Sequence, residues 1–322
     1  MFKPRLLIVG CGDIALRAAP YLTHRYRVFG MIRNPAHRDS LRAAGILPLL
    51  GDLDDRASLR RFGGVADAVL HFAPPQPHGH RDRRTARLLA ALSMAEMLPQ
   101  PIIYISTSAV YGDCGGAWVA ETRAVRPTSE RARRRADAEQ RLRGWGRRNR
   151  RRVSILRVPG IYAPGRLPLA RIESRVPALA ADEDVCTSHI HADDLARITL
   201  AALHRGRPGR IYHAADDGPM NAGEYFDLLA DRFGLPRPPR VSRRQAAAEI
   251  PAGLLSFLGE SRRLENRRMK QELRVRLAYP TVREGIGGQA VSRLSQPRGR
   301  PSPRPPLRRG RSAAPSRRFR SR

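Results

Sequence analysis

The residues best suited to chemistry open the chain. Val9-Gly10-Cys11-Gly12-Asp13-Ile14-Ala15 follows a short apolar run, Leu6 to Val9, and leads into an apolar-periodic stretch. A strand, a glycine turn and a helix start, in that order, build a phosphate cradle. Gly10 permits the tight turn, Gly12 lets the backbone come close to a pyrophosphate, and Ala15 stands where a third small residue packs helix against strand. The helix N-terminus adds unpaired N–H groups and the positive end of its dipole. Gly10, Gly12, Asp13 and Ile14 are therefore candidate contacts to a dinucleotide, with a purely structural glycine turn as the competing explanation. A second apolar run ends in Met31-Ile32-Arg33-Asn34. An NAD site usually places a carboxylate there; Arg33, with Arg38 nearby, favours a 2′-phosphate and hence NADP, NAD being the alternative. Asp52, in Gly51-Asp52-Leu53, either reaches the adenine edge or caps a helix.

These residues need a scaffold, and the apolar pattern supplies one. Leu6 to Val9, Tyr26 to Ile32, Ala68 to Phe72, Pro101 to Ser106, Val153 to Val158 and Ile211 to Ala214 read as strands. Helices are expected over Ile14 to Leu22, Thr85 to Glu96, Ser129 to Arg143 and Ala222 to Phe233, the last stopped by Gly234. Alternation on this period predicts an α/β fold: a Rossmann doubly wound parallel sheet covered on both faces. Residues 1–285 form the binding domain, with a small, mostly helical C-terminal lobe drawn mainly from 166–186 and 217–285. Residues 287–322 hold 11 arginines and no acidic residue, and Pro297 to Pro306 offers little to bury, so this tail is expected to be disordered.

Several segments together resemble the extended short-chain dehydrogenase/reductases, the NAD-dependent epimerase/dehydratase family. Gly10-Cys11-Gly12-Asp13 is similar to its cofactor loop. Gly51-Asp52-Leu53 and His71-Phe72-Ala73-Pro74-Pro75 are similar to the segments after its third and fourth strands, which makes Ala73 a further cofactor contact. Ser106-Thr107-Ser108-Ala109-Val110-Tyr111-Gly112 resembles its catalytic Ser/Thr strand. Arg157-Val158-Pro159-Gly160-Ile161-Tyr162-Ala163-Pro164-Gly165 resembles the segment beside the nicotinamide, and His191-Ala192-Asp193-Asp194-Leu195-Ala196 the segment on which the substrate lobe folds back. In detail the chain looks closest to an atypical, YeeZ-like subgroup, whose members end near Tyr279-Pro280-Thr281-Val282. The tail has no counterpart there and reads as appended or frame-shifted.

The resemblance implies a catalytic Ser/Thr, a Tyr and a Lys. Thr107 falls on the first. Pro127 and Glu139 bracket the other two, and those positions hold Arg131 and Arg135. A guanidinium has no acceptor and does not titrate in proteins, so Arg131 cannot exchange the proton that a phenol would. Arg135 keeps the cation but not the point charge of a lysine. An oxidoreductase or epimerase would need another acid or base, with Tyr111, Tyr162 and His191 the candidates, each with a structural alternative. A non-catalytic NAD(P)-binding sensor or scaffold is the second reading, and a basic nucleic-acid adaptor the third. Arg131 and Arg135 could instead hold an anionic group of substrate or cofactor.

Composition bounds the rest. The net charge is +31 and falls only to +20 without the tail, so the body is itself basic. Such a field attracts nucleic acid, acidic membrane or phosphorylated ligands, but no nucleic-acid motif accompanies it. No apolar run approaches the roughly 20 residues that span a bilayer. Cys11, Cys114 and Cys186 lack disulfide or metal spacing and suit the reduced thiols of a cytoplasmic protein. His189 and His191 share a face beside Asp193 and Asp194, but the aspartates fit a helix start and no metal is expected. Glu121 reads as surface and Tyr104 as core. The substrate is a small molecule that the residues do not name, and the oligomeric state is open.

Overall fold

The computed structural model describes residues 2–250, 255 and 258–287. Seven parallel strands form its centre: β1 (Arg5–Val9), β2 (Arg27–Ile32), β3 (Leu47–Leu50), β4 (Ala68–His71), β5 (Ile102–Thr107), β6 (Val153–Val158) and β7 (Arg210–His213). Their spatial order is β7-β6-β5-β4-β1-β2-β3. The order reverses between β1 and β4, so the connections leaving these two strands diverge and open a crevice at their carboxyl ends. The expected doubly wound α/β sheet is present.

Period-two alternation on β1 explains how both faces are covered. Leu6 and Ile8 point into one apolar cluster, Leu7 and Val9 into another. The first cluster is closed by α1 (Asp13–Thr23) and α4 (Ala192–Arg205) through Ala15, Ala18, Leu195 and Ile198. The second is closed by α2 (Arg83–Leu92) and α3 (Glu130–Arg148) through Leu88, Leu92, Ala138 and Leu142. Asp82 and Ser129 cap α2 and α3 by accepting from the N–H groups of Thr85 and Ala132.

Two helices differ in extent from the sequence reading. Helix α2 ends at Leu92 rather than Glu96, where Ser93 turns its hydroxyl back to the Leu89 carbonyl. Helix α3 runs to Arg148, past Gly144 and Gly146, because Trp145 is buried against the sheet and its indole N–H donates to Ser93 Oγ at 2.8 Å. Burying one large aromatic outweighs the weak helix propensity of two glycines.

A third apolar cluster joins α5 (Ala222–Phe233) to the short helices Leu169–Glu173, Arg243–Glu249 and Val282–Gly287 through Ile172, Leu229, Ala246 and Val282. Asn221 and Glu224 form a capping box on α5, and Gly234 ends it at φ +65. The last helix includes Gly287, so ordered chain extends to that residue; the remainder of the predicted tail lies outside the described residues. Among the described residues no helix is long and apolar enough to cross a membrane.

Candidate functional site

The glycine loop joins β1 to α1 at the switch point. A Cβ on Gly10, which has φ +99, would lie 2.5 Å from the Ala73 nitrogen. The loop is pressed against the end of β4, where the N–H groups of Phe72 and Ala73 both donate to the Val9 carbonyl at 2.8 Å. Gly12 differs: a Cβ there would meet nothing within 4 Å. It stands at the N-cap of α1, and no side chain caps the helix. The first-turn N–H groups are therefore left to a ligand or to water, which is the arrangement a pyrophosphate requires. Ile14 is buried behind the loop. The Asp13 carboxylate is taken by two arginines, Arg17 at 2.8 Å and Arg166 at 3.2 Å. Burial pushes the Cys11 thiol up to about 12, so it stays protonated and is a packing residue.

Arg33 follows the end of β2 and is exposed. Asp52 follows β3; its N–H donates to Ser58 Oγ and its carboxylate accepts from the Asp54 N–H, each at 2.9 Å. The helix cap considered for Asp52 belongs to Asp55, which accepts from the Ala57 N–H and opens Arg56–Leu59. Arg33, Asp52, Ala73 and the glycine loop thus share the carboxyl edge of the sheet.

Beyond this edge lies a cavity of about 520 Å³, bounded by Thr107 and Arg131 on one side and by Tyr225, Phe226 and Leu258 on the other. Thr107 ends β5 and caps the following turn through its hydroxyl, which accepts from the Ala109 N–H. Arg131, in the first turn of α3, lines the cavity; burial and then the neighbouring Arg135 cation draw its pKa below the usual arginine value. Arg135 turns away to β5, where it donates to the Ile105 carbonyl at 2.6 Å and the Tyr104 hydroxyl at 3.0 Å. The structure therefore brings Thr107 and Arg131 together on the cavity wall and commits Arg135 to the sheet.

The three alternative acid–base candidates are engaged elsewhere. The Tyr111 hydroxyl lies 2.6 Å from His213 Nε2 and accepts from Arg157 at 2.6 Å, and burial raises its pKa to about 12. The Tyr162 hydroxyl donates to the Thr281 carbonyl, and burial drives its pKa up. His191 caps α4 by accepting from the Asp193 N–H, so it does brace a helix start, and burial lowers its pKa. None of the three lines the cavity. Among the described residues no cluster of three or more metal-ligating side chains occurs.

Two groups of residues were missed from the sequence. The first is a buried network: Glu139 pairs with Arg157 at 2.7 Å and accepts from Ser106 Oγ at 2.6 Å, while Arg157 reaches Tyr111. Glu121 belongs beside it. Expected at the surface, it is buried, accepts from the His213 N–H at 3.3 Å and faces Arg268 at 3.6 Å. Desolvation raises its pKa. The second group lies in the cavity. His189 stacks on Tyr225 with centroids 4.5 Å apart, and burial lowers its pKa to about 4. Arg171 packs over the Phe226 ring at 4.2 Å.

Comparison with known proteins places the fold in a family. Residues 12–215 match the NAD dependent epimerase/dehydratase family. A functionally unknown conserved protein from Silicibacter pomeroyi DSS is 31% identical, with a TM-score of 0.73 over 88% of this chain and 97% of that one. The dTDP-glucose 4,6-dehydratase of Bacillus anthracis, solved in complex with NAD, is 18% identical with a TM-score of 0.70, covering 88% of this chain and 94% of the other. The uncharacterized protein C2A9.02 of Schizosaccharomyces pombe is 24% identical over 227 residues, 66% of this chain and 74% of that protein.

Proposed function

The chain belongs to the NAD dependent epimerase/dehydratase family, and from that premise we propose that it is an NAD(P)-binding oxidoreductase or epimerase-like protein of the atypical, YeeZ-like kind, with a substituted active site. The observation that carries this reading is Gly12, which leaves an uncapped helix N-terminus with open space before it. Gly10, Gly12, Asp13 and Ile14 hold the pyrophosphate edge in this reading, Asp52 and Ala73 the adenosine side, and exposed Arg33 takes a 2′-phosphate, favouring NADP. Bound nicotinamide supplies hydride transfer. The chain's own contribution is to hold a small substrate in the cavity, with the Thr107 hydroxyl offered to a substrate oxygen and Arg131 setting a positive field beside it.

The positions of the family Tyr and Lys carry Arg131 and Arg135, and neither exchanges protons near neutral pH. A second reading, binding without turnover as a sensor, is favoured by the engagement of Tyr111, Tyr162 and His191 outside the cavity. Calorimetric titration of the full chain with NADP(H) and NAD(H), at low and raised salt, tests the shared part. Binding that survives salt, prefers NADP and loses that preference in Arg33→Ala supports the proposal. Absence of salt-resistant binding to either dinucleotide refutes it. A Thr107→Ala variant with unchanged turnover on any substrate found would remove Thr107 from the chemistry.

A further inference from the structure

The cavity that the proposed function takes as the substrate site has an unusual charge balance. Arg131, Arg166, Arg171 and Arg262 face it, against the one lining carboxylate of Glu260 among the described residues. Arg262 pairs with Glu260 at 2.8 Å and Arg166 with Asp13 at 3.2 Å. Arg171 is different. It lies over the Phe226 ring at 4.2 Å and donates to the Pro177 carbonyl at 3.2 Å. Its Nε is buried without a hydrogen-bond partner, and no carboxylate among the described residues pairs with it. Burial alone lowers its pKa. A cation withdrawn from water without a counter-ion is unfavourable, and an aromatic face returns only about 0.5–2 kcal/mol.

Much of the remaining wall is apolar, from Pro159, Ile161, Phe226, Leu258 and Leu264. Several hydroxyls in the lining are engaged with backbone. Thr107 accepts from Ala109, Thr187 donates to the Met220 carbonyl and Ser188 accepts from Leu264. Thr107 and Ser188 keep an O–H to donate, which serves one ligand oxygen but not the many hydroxyls of a polyol, each of which would carry a desolvation penalty if left unpaired. A volume near 520 Å³ suits a small organic molecule.

We propose that this cavity selects a compact apolar molecule bearing one oxyanion head group, a carboxylate or a phosphate, which sits against Arg171 while the apolar body packs on Phe226 and Leu258. The proposal rests on the cavity being the ligand site of the NAD(P)-binding reading. It narrows that reading from any small molecule to an apolar anion.

The test uses the full chain and three probes of one body: benzoate, phenyl phosphate and the neutral benzyl alcohol. Binding is measured by calorimetry in wild type, Arg171→Met and Arg171→Lys, with circular dichroism melting as the check on folding. The expected result is one-to-one binding of at least one anion, about tenfold or more tighter than benzyl alcohol, lost in Arg171→Met and partly kept in Arg171→Lys. The better of the two anions identifies the head group. Anion binding to the many other arginines is unaltered by this single change, so it cannot imitate the result. Equal affinity for the neutral probe, unchanged anion affinity in Arg171→Met, or no saturable binding of either anion would overturn the proposal. NADPH titration of the same protein separates the two ideas. Cofactor binding without Arg171-dependent anion binding sinks only the ligand class. Anion binding without cofactor binding sinks the NAD(P) reading and leaves the ligand class standing.

Discussion

Two glycines two residues apart in the phosphate loop answer to different forces, and their substitution should separate folding from cofactor binding. At Gly10 an added methyl would sit 2.5 to 2.9 Å from backbone atoms of Phe72 and Ala73, at a φ of +99. Crowding against backbone costs about 1–3 kcal/mol. The left-handed conformation adds about 1–2 kcal/mol for a residue with a Cβ. Gly10→Ala should therefore lose about 2–5 kcal/mol, read as a fall of roughly 5–15 °C in Tm for a domain of this size. At Gly12 the same methyl enters open space, and φ −91 is accessible to alanine. Its stability should change by only about 0.5 kcal/mol, the effect of replacing glycine at an N-cap. The methyl nevertheless stands where phosphate oxygens must approach the first-turn N–H groups. Losing one charge-assisted hydrogen bond removes about 1.5–3 kcal/mol, a roughly 10- to 100-fold weaker Kd for NADP(H). Melting curves and calorimetry on both variants check the pair. Wild-type NADP(H) affinity in a folded Gly12→Ala protein would refute the assignment of the loop.

Three further outcomes follow from buried groups. Glu139 and Arg157 keep only 5% and 4% of their side-chain surface exposed, so Glu139→Gln should destabilise by about 3–5 kcal/mol by leaving a buried cation uncompensated; a loss below about 1 kcal/mol in urea unfolding would contradict the network's role. Burial lowers His71 and His213 to about 3 and His189 to about 4, so stability present above the unfolded-state value of about 6.5 is lost as pH falls, about 2 kcal/mol for each between pH 7 and 5. Asp216, raised by burial to about 8, works in the opposite sense and returns about 3 kcal/mol over that interval, so the unfolding free energy from urea titration should fall by the net of about 3 kcal/mol, and a constant value would count against the buried neutral imidazoles. Arg135→Met should lower stability by about 1–3 kcal/mol through loss of its bonds to Ile105 and Tyr104, with benzoate affinity unchanged; weakened anion binding in a fully stable variant would return Arg135 to the site.

The parts of this protein written in local pattern were legible from its residues. Alternation on β1 and the glycines at 10 and 12 fix a strand, a turn and a helix within a dozen residues, and nothing distant needs to be known. Assignments failed where the deciding partner is far away in sequence. Glu121 looks solvated among its neighbours, yet it is buried by His213 and Arg268, some 90 and 150 residues later. Asp52, Asp54 and Asp55 all have the chemistry of a cap, and only the backbone shows that Asp55 performs it. Helix α3 runs past the expected end at Arg143, through Gly144 and Gly146, because the burial of Trp145 holds the turn between them. Arg171 was invisible for another reason: with 60 Lys and Arg in 322 residues, one more arginine carries no signal until its surroundings show no paired carboxylate among the described residues.

Arg131 and Arg135 stand four residues apart on one helix, a spacing at which like charges repel. Burial first and the Arg135 cation second hold the Arg131 pKa below the usual arginine value. The two side chains part company: Arg135 goes to the carbonyl edge of β5, and Arg131 lines the cavity. A lysine would serve a cofactor ribose from the first place, but a guanidinium already donating to Ile105 and Tyr104 is a strut. At the second place a phenol would exchange a proton, whereas a guanidinium holds charge at every accessible pH. In the proposed reading the replacement at Arg131 exchanges acid–base capacity for positive charge on the cavity wall, and the one at Arg135 braces the sheet. Arg131 then adds to the positive lining of the cavity but leaves the proton step without a residue, which is why binding should survive in this chain under conditions where turnover does not.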